Sequence, residues 1–152
     1  MRAVIQRVSS ASVEVDGKIV GSCGKGYLIL LGVAEGDIET DADLLCKKIA
    51  ALRIFRDENE KMNLSIRDVD GDALVISQFT RYANYRHGNR PDFLASAKPV
   101  EANRLYEYFK TILSREVRRV ECGIFGADMK VSLINDGPVT ICMDSEVLKK
   151  KK

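Results

Sequence analysis

The stretch KVSLINDGPVTICMD, Lys130 to Asp144, alternates Val131, Leu133, Val139 and Ile141 with other residues, as a half-buried strand does. Its centre holds Gly137 and Pro138, the two residues that strands tolerate least. The pattern predicts a strand that stops pairing at Gly137-Pro138 and leaves backbone groups there for another use. Strands dominate upstream as well. MRAVIQRVSS alternates its apolar residues and reads as a first strand, and two short runs around Val13 and Ile19 flank Asp16-Gly17. That dipeptide favours a tight hairpin, because both central positions of the turn require positive φ. GYLILLGVA is almost continuously apolar and suits a strand covered on both faces.

The period then changes. TDADLLCKKIAALRIF places Leu45, Ile49 and Leu52 at helical spacing, with Thr40 or Asp41 as N-cap. RDENEKMNLSIRDVDGD is a polar loop or loose hairpin closed by Asp70-Gly71. ALVISQF resumes as a buried strand with a polar end, followed by the basic loop RYANYRHGNRP. VEANRLYEYFKTILSRE sets Leu105, Phe109, Ile112 and Leu113 on one helical face, with Pro99 suited to the first turn. VRRVECGIFG and KVSLINDGPVTICM close the chain as strands. The order β, β, β, α, β, α, β, β, with helices apolar on one side only, predicts a layered α+β domain.

A length of 152 residues fits one core, and 45% hydrophobic with 30% charged residues is the composition of an ordinary globular protein. No apolar run approaches the roughly 20 residues of a membrane span. The expectation is a cytoplasmic protein with no membrane contact. Cys23, Cys46, Cys122 and Cys142 form no CxxC pair, and the single histidine, His87, has no cysteine near it, so no metal site is expected. The net charge of +2 demands no particular partner. Its local distribution says more: Arg81, Arg86, His87 and Arg90 stand among Tyr82 and Tyr85, a mixture able to meet phosphates and unstacked bases. The domain is expected over residues 1–148, with a frayed lysine tail at 149–152.

Familiar catalytic engines are missing. One histidine in an arginine-rich loop and no GxSxG argue against a serine triad. In GSCGKGYL, Tyr27 follows Gly26 where a phosphate-binding loop requires Lys and then Ser or Thr. An EF-hand starting at Asp68 would need Gly where Ala73 stands and Glu where Phe79 stands. Carboxylates cluster only in loops and on polar helix faces. What remains is two polar steps at strand ends, SQFT (Ser77 to Thr80) and NDGPVT (Asn135 to Thr140), neither with a strong acid or base suited to catalysis. A site built from them works by positioning and backbone donors.

MRAVIQRVSSASVEVDG, GYLILLGVAEGD, KMNLSIRDVDGDALVISQFT, HGNRPDF and GIFGADMKVSLINDGPVTI together resemble the D-aminoacyl-tRNA deacylase family, also called the D-tyrosyl-tRNA deacylase family. The likeness runs from Met1 to about Met143. It implies a β/β/α layered domain, mostly antiparallel, with two amphipathic helices on one side, and a homodimer with active sites at the subunit interface. It implies hydrolysis of the ester between a D-amino acid, or glycine, and the 3′-terminal adenosine of tRNA, without metal or organic cofactor. Ser77, Gln78, Phe79 and Thr80 are the implied catalytic segment, with amides near Phe79 and Thr80 as an oxyanion hole. Gly137-Pro138 is the implied cis peptide that enters the partner's site and excludes an L side chain; Arg7 braces that loop in the partner. Phe125 and Met129 line an adenosine pocket, and the adenosine 2′-hydroxyl assists the attack. Two rival readings stand beside this one: an inactive RNA-binding module using the Arg81 to Arg90 loop, and a hydrolase of small esters with Thr80 as nucleophile.

Overall fold

In the computed structural model, residues 1–150 are described. The expected lysine tail at Lys151 and Lys152 lies outside them. β1 (Arg2–Val15) and β2 (Lys18–Cys23) are joined by the anticipated turn, with Asp16 at φ 50° and Gly17 at φ 78°. Both values lie in the left-handed region that a two-residue hairpin loop requires. β3 (Gly26–Gly32) pairs antiparallel with the first half of β1. α1 (Glu39–Ala51) then crosses to a small hairpin, β4 (Phe55–Arg56) and β5 (Met62–Leu64), and to β6 (Asp72–Ser77). A 3-10 helix (Phe79–Tyr82) and α2 (Pro99–Leu113) lead to β7 (Arg119–Cys122), β8 (Lys130–Asp144) and a short α3 (Ser145–Lys149).

The main sheet runs β2-β1-β3-β6-β7, with β8 on the other edge of β1. Pairings of β1 with β2, β3 and β8 are antiparallel, whereas β3-β6 and β6-β7 are parallel. The parallel pairs follow from the chain path, since α1 and α2 each sit between strands that must return in the same direction. Side chains divide by parity. Tyr27, Ile29, Leu31, Ala73 and Val75 face the larger core under α1 and α2, while Leu28, Leu74 and Ile76 face a second core between strand layers. The β/β/α layering follows from these two cores.

β1 serves both. Ala3 and Ile5 belong to the helix-side core, but Val8, Ala11 and Val13 belong to the strand-side core. The change is made at Ser9, which the ladder skips: Val8 pairs with Asn135 and Ser10 with Ile134. One extra residue moves odd positions from one face to the other, as a bulge must.

Several boundaries differ from expectation. α1 stops at Ala51, because Leu52 turns extended and Phe55 leaves to stack on Tyr27 at 5.2 Å. Asp41 is no N-cap; it lies inside the first turn, accepting from the Ile38 amide at 3.0 Å. The strand expected through Phe79 ends at Ser77, and the one expected over 117–126 is confined to Arg119–Cys122. The domain also reaches past Leu148: Lys149 Nζ lies 2.7 Å from the buried Asp41, to which Ser145 Oγ donates at 2.6 Å. Burial raises the Asp41 pKa, but Lys149, Ser145, the Ile38 amide and the N-terminal ammonium outweigh it and bring the carboxyl down to about 2. No described helix is long and apolar enough to cross a membrane.

Candidate active site

The SQFT segment begins where β6 runs out of partners. The Gln78 amide donates the last cross-strand bond, to Leu31 O at 2.7 Å, and the chain then tightens into the 3-10 helix. Arg81 N–H returns to Gln78 O at 3.3 Å and Ala83 N–H to Thr80 O at 3.1 Å. The amides of Phe79 and Thr80, first in that helix, precede any intrahelical acceptor. Tyr82 anchors the turn, buried beneath the Arg2 guanidinium at 4.6 Å. Ser96 Oγ donates to Phe79 O at 3.0 Å, and Phe79, 58% exposed, meets Phe93 edge to face at 4.9 Å.

Ser77, Gln78, Phe79 and Thr80 line a cleft of about 530 Å³ whose far wall carries Phe125 and Met129. Six of the residues singled out from the sequence therefore share one cavity. The start of α2, at Pro99 and Ala102, and the segment Phe93 to Ala97 supply the rest of the enclosure. None of the lining residues is Asp, Glu, His, Lys, Arg or Cys. Among the described residues no cluster of potential metal ligands occurs. The Thr80 hydroxyl has an amide donor as neighbour, Gln78 Nε2 at 2.9 Å, and a donor aimed at an oxygen withdraws electron density from it.

Gly137 and Pro138 are elsewhere. Thr140 pairs with Gln6 and Asn135 with Val8, so the four residues Asp136 to Val139 bow out opposite Arg7 alone. Beyond this excursion β8 resumes its pairing, from Thr140 to Asp144. The two halves face different cores, Val131 and Leu133 on the strand side, Val139 and Ile141 on the helix side. The Gly137-Pro138 peptide is cis, with Gly137 at φ 143°. Any Cβ on Gly137 would lie 2.8 Å from Val139 Cγ2 and 2.9 Å from an Arg7 guanidinium nitrogen.

Arg7, 2% exposed, donates to Asp136 O at 2.8 Å and to Ile54 O. It braces the loop of its own chain; the resemblance had implied the partner's. Asn135, to which the sequence assigned no role, ties the neck of the loop. Its Nδ2 donates to Val139 O at 3.2 Å and Thr140 Oγ1 at 3.0 Å, and its Oδ1 accepts from the Val139 amide at 2.7 Å. Ser77 is level with Leu31 and Ala3, four residues along β1 from Arg7 and three strands across from β8. At about 3.4 Å per residue and about 4.8 Å per strand, the loop lies ~20 Å from the SQFT turn of the same chain.

Two motifs this far apart, one a cleft and one a protruding loop, mark a fold whose relatives identify it. The family model described as D-Tyr-tRNA(Tyr) deacylase matches residues 4–144. The D-aminoacyl-tRNA deacylase of Ruegeria pomeroyi is 58% identical, over 95% of this chain and 99% of its own. That of Caldicellulosiruptor bescii is 55% identical, over 96% and 98% respectively. The solved structure of c-Myc DNA Unwinding Element Binding Protein superposes with a TM-score of 0.89 at 37% identity, covering 95% of this chain and 98% of that one. The class is thus a hydrolase of the deacylase type. The chain belongs to the D-Tyr-tRNA(Tyr) deacylase family.

Proposed function

We propose that this chain hydrolyses the ester of D-aminoacyl-tRNA, releasing the D-amino acid and free tRNA, and that it acts in the cytoplasm as a homodimer. The observation that carries this reading is the cleft: it unites Ser77 to Thr80 with Phe125 and Met129 and contains no acid, base or thiol. Such a surface has hydroxyls at Ser77, Thr80 and Ser96 but no side-chain base to activate them or a water. It suits a substrate that is already reactive and needs only orientation and stabilisation of a developing oxyanion. An aminoacyl ester beside a ribose 2′-hydroxyl is such a substrate. The Phe79 and Thr80 amides receive the carbonyl oxygen, Phe125 and Met129 hold the terminal adenosine, and the 2′-hydroxyl assists the attack. No cofactor enters this scheme.

The ~20 Å between cleft and loop puts a chain's own cleft out of reach of its Gly137-Pro138 and supports a role for that loop at the site of a second copy. There the loop's backbone lies against the α-carbon and leaves no room for an L side chain. D-amino acids of many kinds pass, and so does glycine. Assays on matched D- and L-tyrosyl-tRNA test the reading. Loss of the D-ester alone supports it; equal loss of both esters removes the filter, and loss of neither leaves only RNA binding. A substrate ending in 2′-deoxyadenosine tests the RNA's part in the chemistry, and an unchanged rate refutes it.

A further inference from the structure

The loop after SQFT has a construction that its solvent exposure does not explain. Asn84 and Asp92 close it by two backbone bonds, Asn84 N–H to Asp92 O at 2.8 Å and Asp92 N–H to Asn84 O at 2.9 Å. A side-chain bond adds a third tie, Asn84 Nδ2 to Asp92 Oδ2 at 3.0 Å, and the Arg86 amide donates to Asn84 Oδ1 at 3.2 Å. Every residue from Tyr85 to Pro91 is exposed, Tyr85 by 80%. A tip this open is held by a neck this well bonded, and both ends of the neck lead into the cleft: Phe79 and Thr80 before it, Phe93 after it.

The tip carries Arg86, His87 and Arg90 and no acid. Several other arginines find carboxylate partners, as Arg56 does with Glu60, Arg67 with Glu116 and Arg104 with Glu101 and Glu39. Arg86 and Arg90 make no such ion pair within the described residues. Cations on a loop whose neck is tied beside an uncharged cleft, with no carboxylate of their own, complement a polyanion whose end enters that cleft.

We propose that the Asn84–Asp92 loop is a phosphate clamp, in which Arg86 and Arg90 hold the RNA backbone leading to the esterified 3′ end. This rests on the deacylase reading above. The clamp adds affinity for the body of the RNA and contributes nothing to the chemistry at the ester. The two guanidiniums neutralise two phosphates, and each such contact adds about 0.9 to the slope of log affinity against log salt on a duplex. Between 50 and 200 mM salt the wild type should therefore lose about twelvefold more affinity than a chain without the pair, from two such contacts.

The test compares two substrates, D-tyrosyl-tRNA and D-tyrosyl-adenosine, on the wild type, on R86A/R90A, and on K61A in the distant β4–β5 hairpin as control. The expected result is a tenfold or greater fall in kcat/KM for R86A/R90A on the tRNA, with the shallower salt slope, and no change on the adenosine ester. K61A should match the wild type on both. An equal fall on both substrates, or an unaltered salt slope, overturns the clamp and leaves the deacylase reading intact. If the wild type hydrolyses neither ester, the deacylase reading fails and the clamp falls with it.

Discussion

The Gly-Pro loop and the SQFT turn are both backbone devices at interruptions of a strand, yet they are built in opposite ways. The loop is held by polar bonds from two side chains, Arg7 and Asn135, which between them engage Asp136, Val139, Thr140 and Ile54. The turn is held mostly by its own helical bonds, Tyr82 and Ser96, and opens onto an apolar cleft. On the proposed reading the loop is a wall that must not yield, and its neck is bonded; the cleft is a receiving surface, and it is open. Under the proposed function, damage to the loop changes which ester is cleaved, and damage to the cleft changes how well any ester is cleaved.

The largest effect is expected from Arg7→Ala. It removes a buried guanidinium and strands two carbonyls, at a cost of about 2–4 kcal/mol in stability, read as a lower denaturant midpoint. Cleavage of the L-ester should rise relative to the D-ester in whatever protein remains folded. Asn135→Ala is the cleaner separation: it frees only the neck, and the D/L rate ratio should fall about tenfold, equivalent to about 1.4 kcal/mol. An unchanged ratio would show that the loop needs no clamp. Phe125→Ala should raise KM roughly tenfold, the scale of one lost base stack, while leaving the D/L ratio alone. Thr80→Ala should keep kcat within about threefold, since its hydroxyl has a donor and no base beside it; complete loss would restore threonine as nucleophile.

The smallest effect is in acid. The folded-state Asp41 carboxyl is lowered from 3.8 to about 2, so its contribution to stability is complete above the unfolded value and disappears as pH falls through the folded one. Denaturation midpoints should decline between about pH 4 and 2, and less steeply in Asp41→Asn.

Much of this was legible in the sequence where the cause is local. Asp16-Gly17 announced its turn and α2 its apolar face. Where the cause is distant, the sequence was silent. Nothing in the run Phe93 to Ala97 signals that it returns to Val33 and Glu35 and walls the cleft, because those bonds join residues about sixty positions apart. The clamp by Asn135 was hidden for a different reason: an asparagine before a turn has many uses, and only the register across from Arg7 selects this one. Lys149 looked like part of a tail because charge runs are solvated as a rule, and it took the buried Asp41 to give one of them a partner.

The skipped residue Ser9 has a consequence for how this chain tolerates change in length. Because it sets which face each later residue of β1 occupies, it behaves like a shift of frame within the strand. Substituting Ser9 alters one side chain; deleting it turns Ala11 and Val13 toward the wrong layer, along with the partners they meet on β8. Descendants of this gene are free to vary the letter at position 9 but not to lose it, and β1 should show substitutions there without gaps.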